Sequence, residues 1–285
     1  MGLRATQQLY LVNDMEMTIE HRRKTGAYYT PQPWAELAVM YLREVLPEFD
    51  RCIFYDPAAG EGTLLEALPP HVEKYATTLE PDDVDILRAK GFTAWPFDFL
   101  LGDADHLPKV LFDAALMRRL VILTNPPFIS VTNGLLREAH CTNNAAALFI
   151  YRAFEELGAQ VYAGFNKVDL WTAPMLGRFR GDMAVDYCME IPAAFVTPSF
   201  TWPGLSGRWP LLFNILTPIY SKIQGGFRSY KVEADGVHCF RSYDTPGFFI
   251  PADVYEQYPG TPSKAVCPQR QTTADNPQPF YPIRF

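Results

Sequence analysis

The residues best suited to do chemistry form the tetrapeptide Asn-Pro-Pro-Phe at positions 125–128, directly after the apolar run Leu-Val-Ile-Leu at 120–123. The run predicts a buried strand that opens into a loop at Asn125. An Asn side-chain oxygen and the main-chain carbonyl of the next residue can both accept hydrogen bonds from one planar NH2 group. Pro126 and Pro127 restrict the backbone that carries these acceptors, and Phe128 offers a flat face for stacking. The loop therefore predicts chemistry on a planar amine, with a simple turn after a strand as the alternative.

A turn with two glycines lies upstream, between a predicted strand at 52–55 and a predicted helix start at 64–68. Its sequence, Asp-Pro-Ala-Ala-Gly-Glu-Gly-Thr, occupies positions 56–63. Gly60 and Gly62 would let the backbone come close to a ligand, and Asp56 could accept a hydrogen bond from it. The turn lacks the GxGxxG spacing of a dinucleotide site, which argues against pyrophosphate binding. The glycine pair alone is also consistent with a structural turn.

Carboxylates follow the next two predicted strands. Glu80 comes directly after a strand predicted over 75–79, and Asp98 belongs to a strand end predicted over 95–100. Glu80 is placed as carboxylates are when they bind ribose hydroxyls, and Asp98 could accept a hydrogen bond from the exocyclic amine of adenine. Together with the glycine turn, these carboxylates predict an adenosine-containing cofactor.

Strands and helices alternate along the chain. Apolar spacing predicts helices over 33–46, 82–90 and 144–157, and β-like segments follow the strand at 121–123, over 160–165, 185–195 and 211–216. This alternation predicts an α/β fold with a mostly parallel, doubly wound sheet. Ligands of such sheets bind beyond the carboxyl ends of the strands, which is where the polar residues above are predicted to lie.

The formal net charge of −7 argues against a nucleic-acid partner, because phosphate contacts need Lys and Arg. Three basic clusters partly answer this objection: His-Arg-Arg-Lys at 21–24, the pair Arg178 and Arg180, and five basic residues over 208–241. Solvated surface charge is the alternative for each cluster. An acidic body with a basic cleft would reconcile the charge with a nucleic-acid partner. The candidate contact segments are the loop 130–143, the segment 166–182 with Arg178 and Arg180, and the stretch 208–241, and Arg180 is expected to contact phosphate if its segment is the one that binds.

Length and composition predict a globular protein with one large α/β domain, or one domain with a modest appendage, since 48% of the 285 residues are hydrophobic. A cytoplasmic location is expected from the two features that follow. No apolar stretch approaches the length of about 18 to 20 residues that spans a bilayer, and residues 1–14 lack a secretion pattern, so no membrane partner is expected. The five cysteines are scattered, which predicts reduced thiols and no metal site.

In their order, these motifs resemble those of the S-adenosylmethionine-dependent amino-methyltransferases, especially the DNA adenine-N6 methyltransferases. The upstream segment Lys-Thr-Gly-Ala-Tyr-Tyr-Thr-Pro at 24–31 resembles the N-terminal GxYYTP cofactor motif of one subgroup of that family. Protein-glutamine and several ribosomal RNA methyltransferases share the Asn-Pro-Pro signature but usually lack this block. The resemblance covers residues 22–217 and is specific in the first two-thirds of that range.

The resemblance implies a Rossmann-like class I methyltransferase fold, with a seven-stranded sheet whose last strand is antiparallel. It places an N-terminal extension at 1–20 and the S-adenosylmethionine-dependent domain at 21–220. Residues 221–285 would form a short C-terminal extension with a nucleic-acid contact and a Pro-rich irregular tail. This extension is too short for a typical recognition domain, which permits a partner subunit that supplies sequence recognition.

The resemblance also implies the residues that bind S-adenosylmethionine. The GxYYTP block would line the methionine end of the cofactor, the glycine turn would lie beneath it, and the two strand-end carboxylates would hold the ribose and the adenine amine. In chain order the implied residues are Tyr29, Thr30, Pro31, Asp56, Ala58, Gly60, Gly62, Glu80, Asp98 and Phe99.

By the same resemblance, Asn125 and Pro126 would take the target amine, Pro127 would complete the rigid loop and Phe128 would stack on the target base. The implied protein is a site-specific transferase that methylates the N6 amine of a flipped-out adenine in double-stranded DNA by direct in-line transfer. It would belong to bacterial, archaeal or phage DNA methylation, including restriction-modification systems. Methylation of RNA or of protein glutamine, or a catalytically inactive nucleic-acid-binding scaffold subunit, are the alternatives.

Overall fold

The computed structural model describes residues 28–198, 201–203, 205, 210–219, 227–233, 236–243, 250–251, 254 and 280–281. Positions 24–27 of the GxYYTP block, the basic cluster at 21–24, Arg208, Lys222 and most of the Pro-rich tail lie outside these ranges. Tyr28, Tyr29, Thr30 and the Asn-Pro-Pro-Phe loop lie inside them.

A mixed β-sheet forms the centre of the described chain. Its strands are β1 (Ile53–Asp56), β2 (Glu73–Thr78), β3 (Thr93–Pro96), β4 (Leu120–Thr124), β5 (Val161–Lys167), β6 (Met189–Thr197), β7 (Leu211–Pro218), β8 (Phe227–Glu233) and β9 (Gly236–Tyr243). Their order across the sheet is β3-β2-β1-β4-β5-β7-β6-β8-β9.

The first seven strands confirm the predicted fold. β1 pairs in parallel with β2 and β4, β2 with β3, and β4 with β5, whereas β7 runs antiparallel to both β5 and β6. The chain moves from β1 outward to β3 on one side and then returns to place β4 on the other side of β1. This reversal opens a crevice at the carboxyl ends of β1 and β4, where α/β sheets bind ligands.

Two further strands continue the sheet beyond residue 220. β8 is parallel to β6 through one residue pair, and β9 is antiparallel to β8. A separate two-stranded ladder joins β10 (Ile250–Pro251) to β11 (Phe280–Tyr281) in the antiparallel direction. The domain boundaries at 20 and 220 stay a prediction.

Helices cover both faces of the sheet. They are α1 (Gln32–Val45), α2 (Thr63–Glu66), α3 (Pro81–Ala89), α4 (Lys109–Leu116), α5 (Gly134–His140), α6 (Ala145–Glu155), α7 (Asp169–Thr172) and α8 (Gly177–Gly181). None of the helices among the described residues is long and apolar enough to cross a bilayer.

The strand residues alternate between two hydrophobic clusters. Phe54 packs in the cluster that contains the buried faces of α1, α2 and α3, whereas Tyr55 packs in the cluster that contains those of α4, α6, α7 and α8. In β4, Val121 and Leu123 belong to the first cluster and Ile122 to the second. Because successive strand side chains point to opposite faces, burial on both sides explains why these strands are apolar throughout.

The prediction of a β-like segment over 185–195 is wrong at its start. Residues Asp182–Asp186 form a turn of π-helix, and β6 begins only at Met189. Met183 is fully buried in this turn while Val185 is 68% exposed, which is a helical and not a strand pattern. Cys188, just before the strand, adopts the left-handed region with φ of +48°. Helical turns of this length carry too little periodicity to be distinguished from a strand in the sequence.

Candidate active site

A cavity of about 330 Å³ lies at the crevice beyond the carboxyl ends of β1 to β4. Its walls come from the segment before α1, the glycine turn, the loops after β2 and β3, and the loop after β4. The residues singled out in the sequence that line it are Tyr29, Thr30, Asp56, Ala58, Gly60, Glu80, Asp98, Phe99, Asn125 and Pro127. The fold therefore brings together residues from five separate stretches of the chain.

Four predicted site residues lie outside the cavity lining. Pro31 caps α1, and its carbonyl accepts hydrogen bonds from the amides of the first helical turn. A Cβ on Gly62 would lie 2.6 Å from Leu87 Cδ2, so this glycine, with φ of +89°, permits the glycine turn to pack against α3. Pro126 is buried beneath the loop, and Phe128 packs partly buried against the hydrophobic core.

Asn125 has a defined orientation in the cavity wall. Its Nδ2 donates a hydrogen bond of 2.6 Å to the main-chain carbonyl oxygen of Tyr28. Because a carbonyl oxygen can only accept, the NH2 group must face Tyr28 and Oδ1 must point the other way. Oδ1 is buried and has no hydrogen-bond partner among the described residues. An unpaired buried acceptor costs about 1–3 kcal/mol, so this atom is set to receive a donor from a ligand.

The glycine turn is held rigidly beside the end of β1. Asp56 is 1% exposed and its Oδ1 accepts a hydrogen bond from the Ala58 amide at 3.0 Å. The Ala59 amide donates to the Thr77 carbonyl at 2.9 Å, which joins the turn to β2. Gly60 adopts φ of +51°, and a Cβ there would lie 2.7 Å from Tyr29 Cε1. A glycine is therefore required for the Tyr29 ring to pack over the turn.

Burial raises the pKa of the Asp56 carboxyl to about 7, against the hydrogen bond from the Ala58 amide, which lowers it. The folded protein therefore binds more protons at this site than the unfolded chain between the ordinary pKa of 3.8 and about 7. Across that window the contribution of Asp56 to the free energy of unfolding falls as the pH rises.

We expect the Asp56→Asn variant to lose this contribution, because an amide does not titrate. The difference in unfolding free energy between wild type and variant should change by at most about 1.4 kcal/mol per pH unit between pH 5 and 7. Urea unfolding at several pH values measures it. Asp85→Asn, an exposed residue of α3, is the control, and a pH-independent difference for Asp56→Asn would contradict the assignment.

Tyr29 also connects the segment before α1 to α3. Its hydroxyl donates a hydrogen bond to Asp83 Oδ1 at 3.3 Å, and Asp83 lines the cavity. Burial raises the pKa of Asp83, as do the nearby carboxylates, whereas the Tyr29 hydroxyl lowers it. The sequence analysis missed Asp83. Its position three residues after Glu80, on the same face at the start of a helix, was the available signal.

The loop after β3 forms the far wall. Asp98 Oδ1 accepts hydrogen bonds from the amides of Leu100 at 2.9 Å and Leu101 at 3.0 Å, which leaves Oδ2 for another donor. Leu101 is 56% exposed and Leu79, beside Glu80, is 64% exposed, although both line the cavity. Exposed apolar side chains at the rim of a groove are typical of a ligand site. Sequence analysis missed both of them.

Phe99 lies deeper than the resemblance implied. It is 2% exposed and packs against Phe149, with ring centroids 4.9 Å apart. The Arg152 guanidinium lies 5.5 Å from the Phe99 ring and donates to the Gly102 carbonyl. Phe99 thus contributes only a small surface to the cavity, and it supports the loop after β3 from below.

The charge of the cavity restricts its ligand. Four carboxylates line it, and the described lining residues include no Lys, Arg or His. The carboxylates are those of Asp56, Glu80, Asp83 and Asp98. Such a wall repels phosphate groups and attracts cations. Among the described residues, no group of three or more His, Cys, Asp or Glu is arranged to hold a metal ion.

The expectation that Arg180 contacts phosphate is wrong. Its side chain is 2% exposed and donates to the carbonyls of Leu170 at 3.3 Å and Ala173 at 2.8 Å. It therefore ties α8 to the end of α7. Arg178 is the exposed member of the pair, and it lies beside Cys141 and Asp182. Local sequence cannot distinguish the two, because burial of either depends on how α8 packs.

We expect Arg180→Ala to destabilise the fold by about 1–3 kcal/mol, since buried carbonyls lose their donor. The salt dependence of any nucleic-acid binding should stay unchanged. Arg178→Ala should change the free energy of unfolding by no more than about 0.5 kcal/mol, as is usual for exposed residues. Urea unfolding and DNA titrations at several salt concentrations test both variants. A reduced salt slope in a stable Arg180→Ala protein would contradict the burial of this residue.

No protein-family model and no curated protein sequence matches the chain. Its fold is similar to that of a type I restriction-modification methyltransferase subunit from Streptococcus thermophilus, with a TM-score of 0.53 and 17% identity over 74% of this chain and 50% of that one. A Vibrio vulnificus protein described as a modification subunit of a type I restriction enzyme gives a TM-score of 0.54 and 15% identity, over 81% of this chain and 52% of that one.

A Listeria monocytogenes protein described as a class I S-adenosylmethionine-dependent methyltransferase gives a TM-score of 0.51 at 12% identity, over 73% of this chain and 68% of that one. At such identities the likeness shows the fold alone. The fold is thus that of the class I S-adenosylmethionine-dependent methyltransferases. The chain spans about half the length of the two restriction-modification subunits.

Proposed function

We propose that this protein is an S-adenosylmethionine-dependent methyltransferase that acts on the N6 amine of adenine in double-stranded DNA. The observation that carries the proposal is the buried, unpaired Oδ1 of Asn125, held by Tyr28 in the wall of a cavity lined with carboxylates. This atom needs a donor, and an exocyclic amine supplies one. The class I methyltransferase fold supports S-adenosylmethionine as the cofactor.

The acidic cavity fits the charge of the cofactor. S-adenosylmethionine carries a sulfonium, and its methionine part carries an ammonium group, so a wall of carboxylates favours it over a dinucleotide with two phosphates. Tyr29 and Thr30, which line the cavity, would adjoin the methionine part, with Asp56 beneath it. The backbone of Ala58 and Gly60 would form the floor. Pro31 and Gly62 lie outside the lining and would act indirectly, Pro31 at the start of α1 and Gly62 by letting the glycine turn pack against α3. We infer these roles from the position of each residue in the fold.

The loops after β2 and β3 would hold the adenosine part of the cofactor. Glu80 precedes α3 and would bind the ribose hydroxyls, as strand-end carboxylates do in related sheets. Asp98 would accept a hydrogen bond from the adenine amine through Oδ2, since Oδ1 is already bonded to two main-chain amides. The apolar rim residues Leu79 and Leu101 would flank the ring, with Phe99 below it.

The reaction follows from the two acceptors of the Asn125 loop. The lone pair of an adenine amine is delocalised into the ring, which makes the nitrogen a poor nucleophile. Asn125 Oδ1, in the cavity wall, would accept one of its hydrogens, and the main-chain carbonyl of Pro126, a residue outside the cavity lining, is the proposed acceptor of the other. The two hydrogen bonds would favour a pyramidal nitrogen with a localised lone pair. S-adenosylmethionine, when bound, would supply an electrophilic methyl group: the nitrogen would form a bond to the methyl carbon as the bond from that carbon to the sulfonium sulfur breaks, and S-adenosylhomocysteine would leave. The excess proton leaves the nitrogen for water.

Double-stranded DNA is the proposed substrate because the fold is shared with subunits of restriction-modification systems. The target base would be extruded from the duplex, since the amine of a paired adenine lies inside the base stack and cannot otherwise reach the cavity. A partner subunit for sequence recognition is part of the proposal, because proteins described as subunits of type I restriction-modification enzymes share this fold.

The experiment is incubation of the protein with S-adenosylmethionine that carries a labelled methyl group, together with DNA, RNA or protein in separate reactions. Nucleoside analysis of the DNA should show N6-methyladenine. Label in RNA or in protein glutamine would replace the proposed substrate with one of the alternatives. Binding of S-adenosylmethionine without methyl transfer to any of these substrates would favour an inactive scaffold subunit. Tighter binding of NAD than of S-adenosylmethionine would contradict the proposed cofactor.

A further inference from the structure

Two aromatic rings lie next to Asn125, but only one of them faces the cavity. Tyr28 lines the cavity together with Asn125, whereas Phe128 is absent from the described lining residues. Phe128 is partly buried against the core cluster that contains the buried faces of α1 to α3. The aromatic residue that follows the two prolines therefore lies outside the cavity lining, and Tyr28, from another part of the chain, belongs to it.

The two rings are stacked on each other. Their centroids are 5.8 Å apart and their planes differ by 22°, within the usual range for an offset aromatic pair. A third ring between them would need about 7 Å, since carbon atoms in contact are about 3.5 Å apart. A planar ligand therefore cannot insert between the Tyr28 and Phe128 rings, and a planar group in the cavity would contact Tyr28.

Tyr28 also positions the acceptor of the proposed reaction. Its main-chain carbonyl receives the Asn125 Nδ2 hydrogen bond that turns Oδ1 toward a ligand. One residue thus controls the orientation of the acceptor and presents an aromatic surface beside it. The side chain of Tyr28 can be changed while its carbonyl remains, which separates the two contributions by mutation.

We propose that the Tyr28 ring, with Phe128 behind it, is the platform on which the planar group that receives the methyl stacks. The proposal rests on the proposed function and sharpens it. A flat ring such as a nucleobase uses the whole face of Tyr28, whereas the narrow primary amide of a flexible side chain does not. Tyr28 therefore favours a nucleobase over a protein amide as the substrate.

The test uses duplex DNA amplified from a genomic template, so that it is unmethylated and contains targets of every sequence, with labelled S-adenosylmethionine as methyl donor. We expect Tyr28→Ala to raise the KM for DNA about 5- to 150-fold, the range for loss of one base–aromatic stack. Tyr28→Phe, which keeps the ring, should restore most of the affinity. Phe112→Ala removes a partly buried ring of α4 outside the cavity and is the matched control.

A second measurement locates the contact without turnover. The same DNA is prepared with 8-azidoadenine, irradiated in the presence of the protein, and the cross-linked peptides are identified by mass spectrometry. Cross-links at Tyr28 are expected. Cross-links at Phe128 instead, or a Phe128→Leu variant that loses DNA affinity while Tyr28→Ala keeps it, would overturn the inference alone. A wild-type protein that neither transfers methyl groups nor cross-links would overturn the proposed function as well.

Discussion

Replacement of Asn125 with alanine is expected to lower methyl transfer by at least about 10²- to 10³-fold, the usual cost of removing one preorganised hydrogen-bonding group from a transition state. Asn125 Oδ1 is a buried acceptor that has no hydrogen-bond partner among the described residues. Its loss removes one of the two hydrogen bonds that localise the amine lone pair. Binding of S-adenosylmethionine should survive, because the proposed cofactor contacts come from the glycine turn and from the loops after β2 and β3.

Two companion variants sharpen this test. Asn143→Ala makes the same chemical change at an exposed position outside the cavity and should leave transfer unchanged. Asn125→Asp keeps the shape of the side chain but cannot donate to the Tyr28 carbonyl, so it should also lose activity. Single-turnover transfer and calorimetric titration with S-adenosylmethionine measure the two properties separately. Full activity of Asn125→Ala would remove the proposed mechanism.

Substitution of Gly60 with alanine should weaken S-adenosylmethionine binding by at least about tenfold. The new Cβ would lie 2.7 Å from Tyr29 Cε1, well inside van der Waals contact, so the ring must move away from the turn. Displacements of about 1 Å in a site can cost about 100-fold in rate. The residue would also be held at φ of +51°, which costs an alanine about 1–2 kcal/mol.

Gly91→Ala is the matched control for the cost of holding an alanine at a positive φ. Gly91 has φ of +87°, and a Cβ there meets no atom within 4 Å. Gly91→Ala should lose unfolding free energy only through the backbone and keep its cofactor affinity, whereas Gly60→Ala should lose more unfolding free energy and also lose cofactor affinity. Thermal unfolding and calorimetry on the same preparations give both quantities. Equal losses of affinity in the two variants would contradict a specific contact between Gly60 and Tyr29.

The fold was largely predictable because its strands are buried on both faces and its helices have clear ends. The helix predicted over 144–157 appears as α6, with the Asn144 side chain accepting a hydrogen bond from the Ala147 amide at its start. Such signals are local, since they depend on residues three or four positions apart. The π-helical turn at Asp182–Asp186 was not predicted, because so short a helical segment carries weak periodicity. The strands β8 and β9 were not predicted either.

The candidate site was predictable in outline for a topological reason. Parallel strands end at one edge of the sheet, so carboxylates and glycines that follow successive strands must converge there. Asp56, Glu80, Asp98 and Asn125 all follow this rule and line one cavity. The rim residues Leu79 and Leu101 were missed, because an exposed leucine has no meaning in a sequence until the groove beside it is known.

The sequence by itself determined the class of fold, the strand ends at which polar residues gather, and the acceptor chemistry of an Asn-Pro-Pro loop. Only the tertiary structure decided which aromatic ring faces the cavity, which arginine of the pair is buried, and which way the Asn125 carboxamide points. The hydrogen bond that orients Asn125 joins residues 97 positions apart. No local propensity or periodicity encodes a contact of that separation, because it forms only when the sheet brings the two segments together.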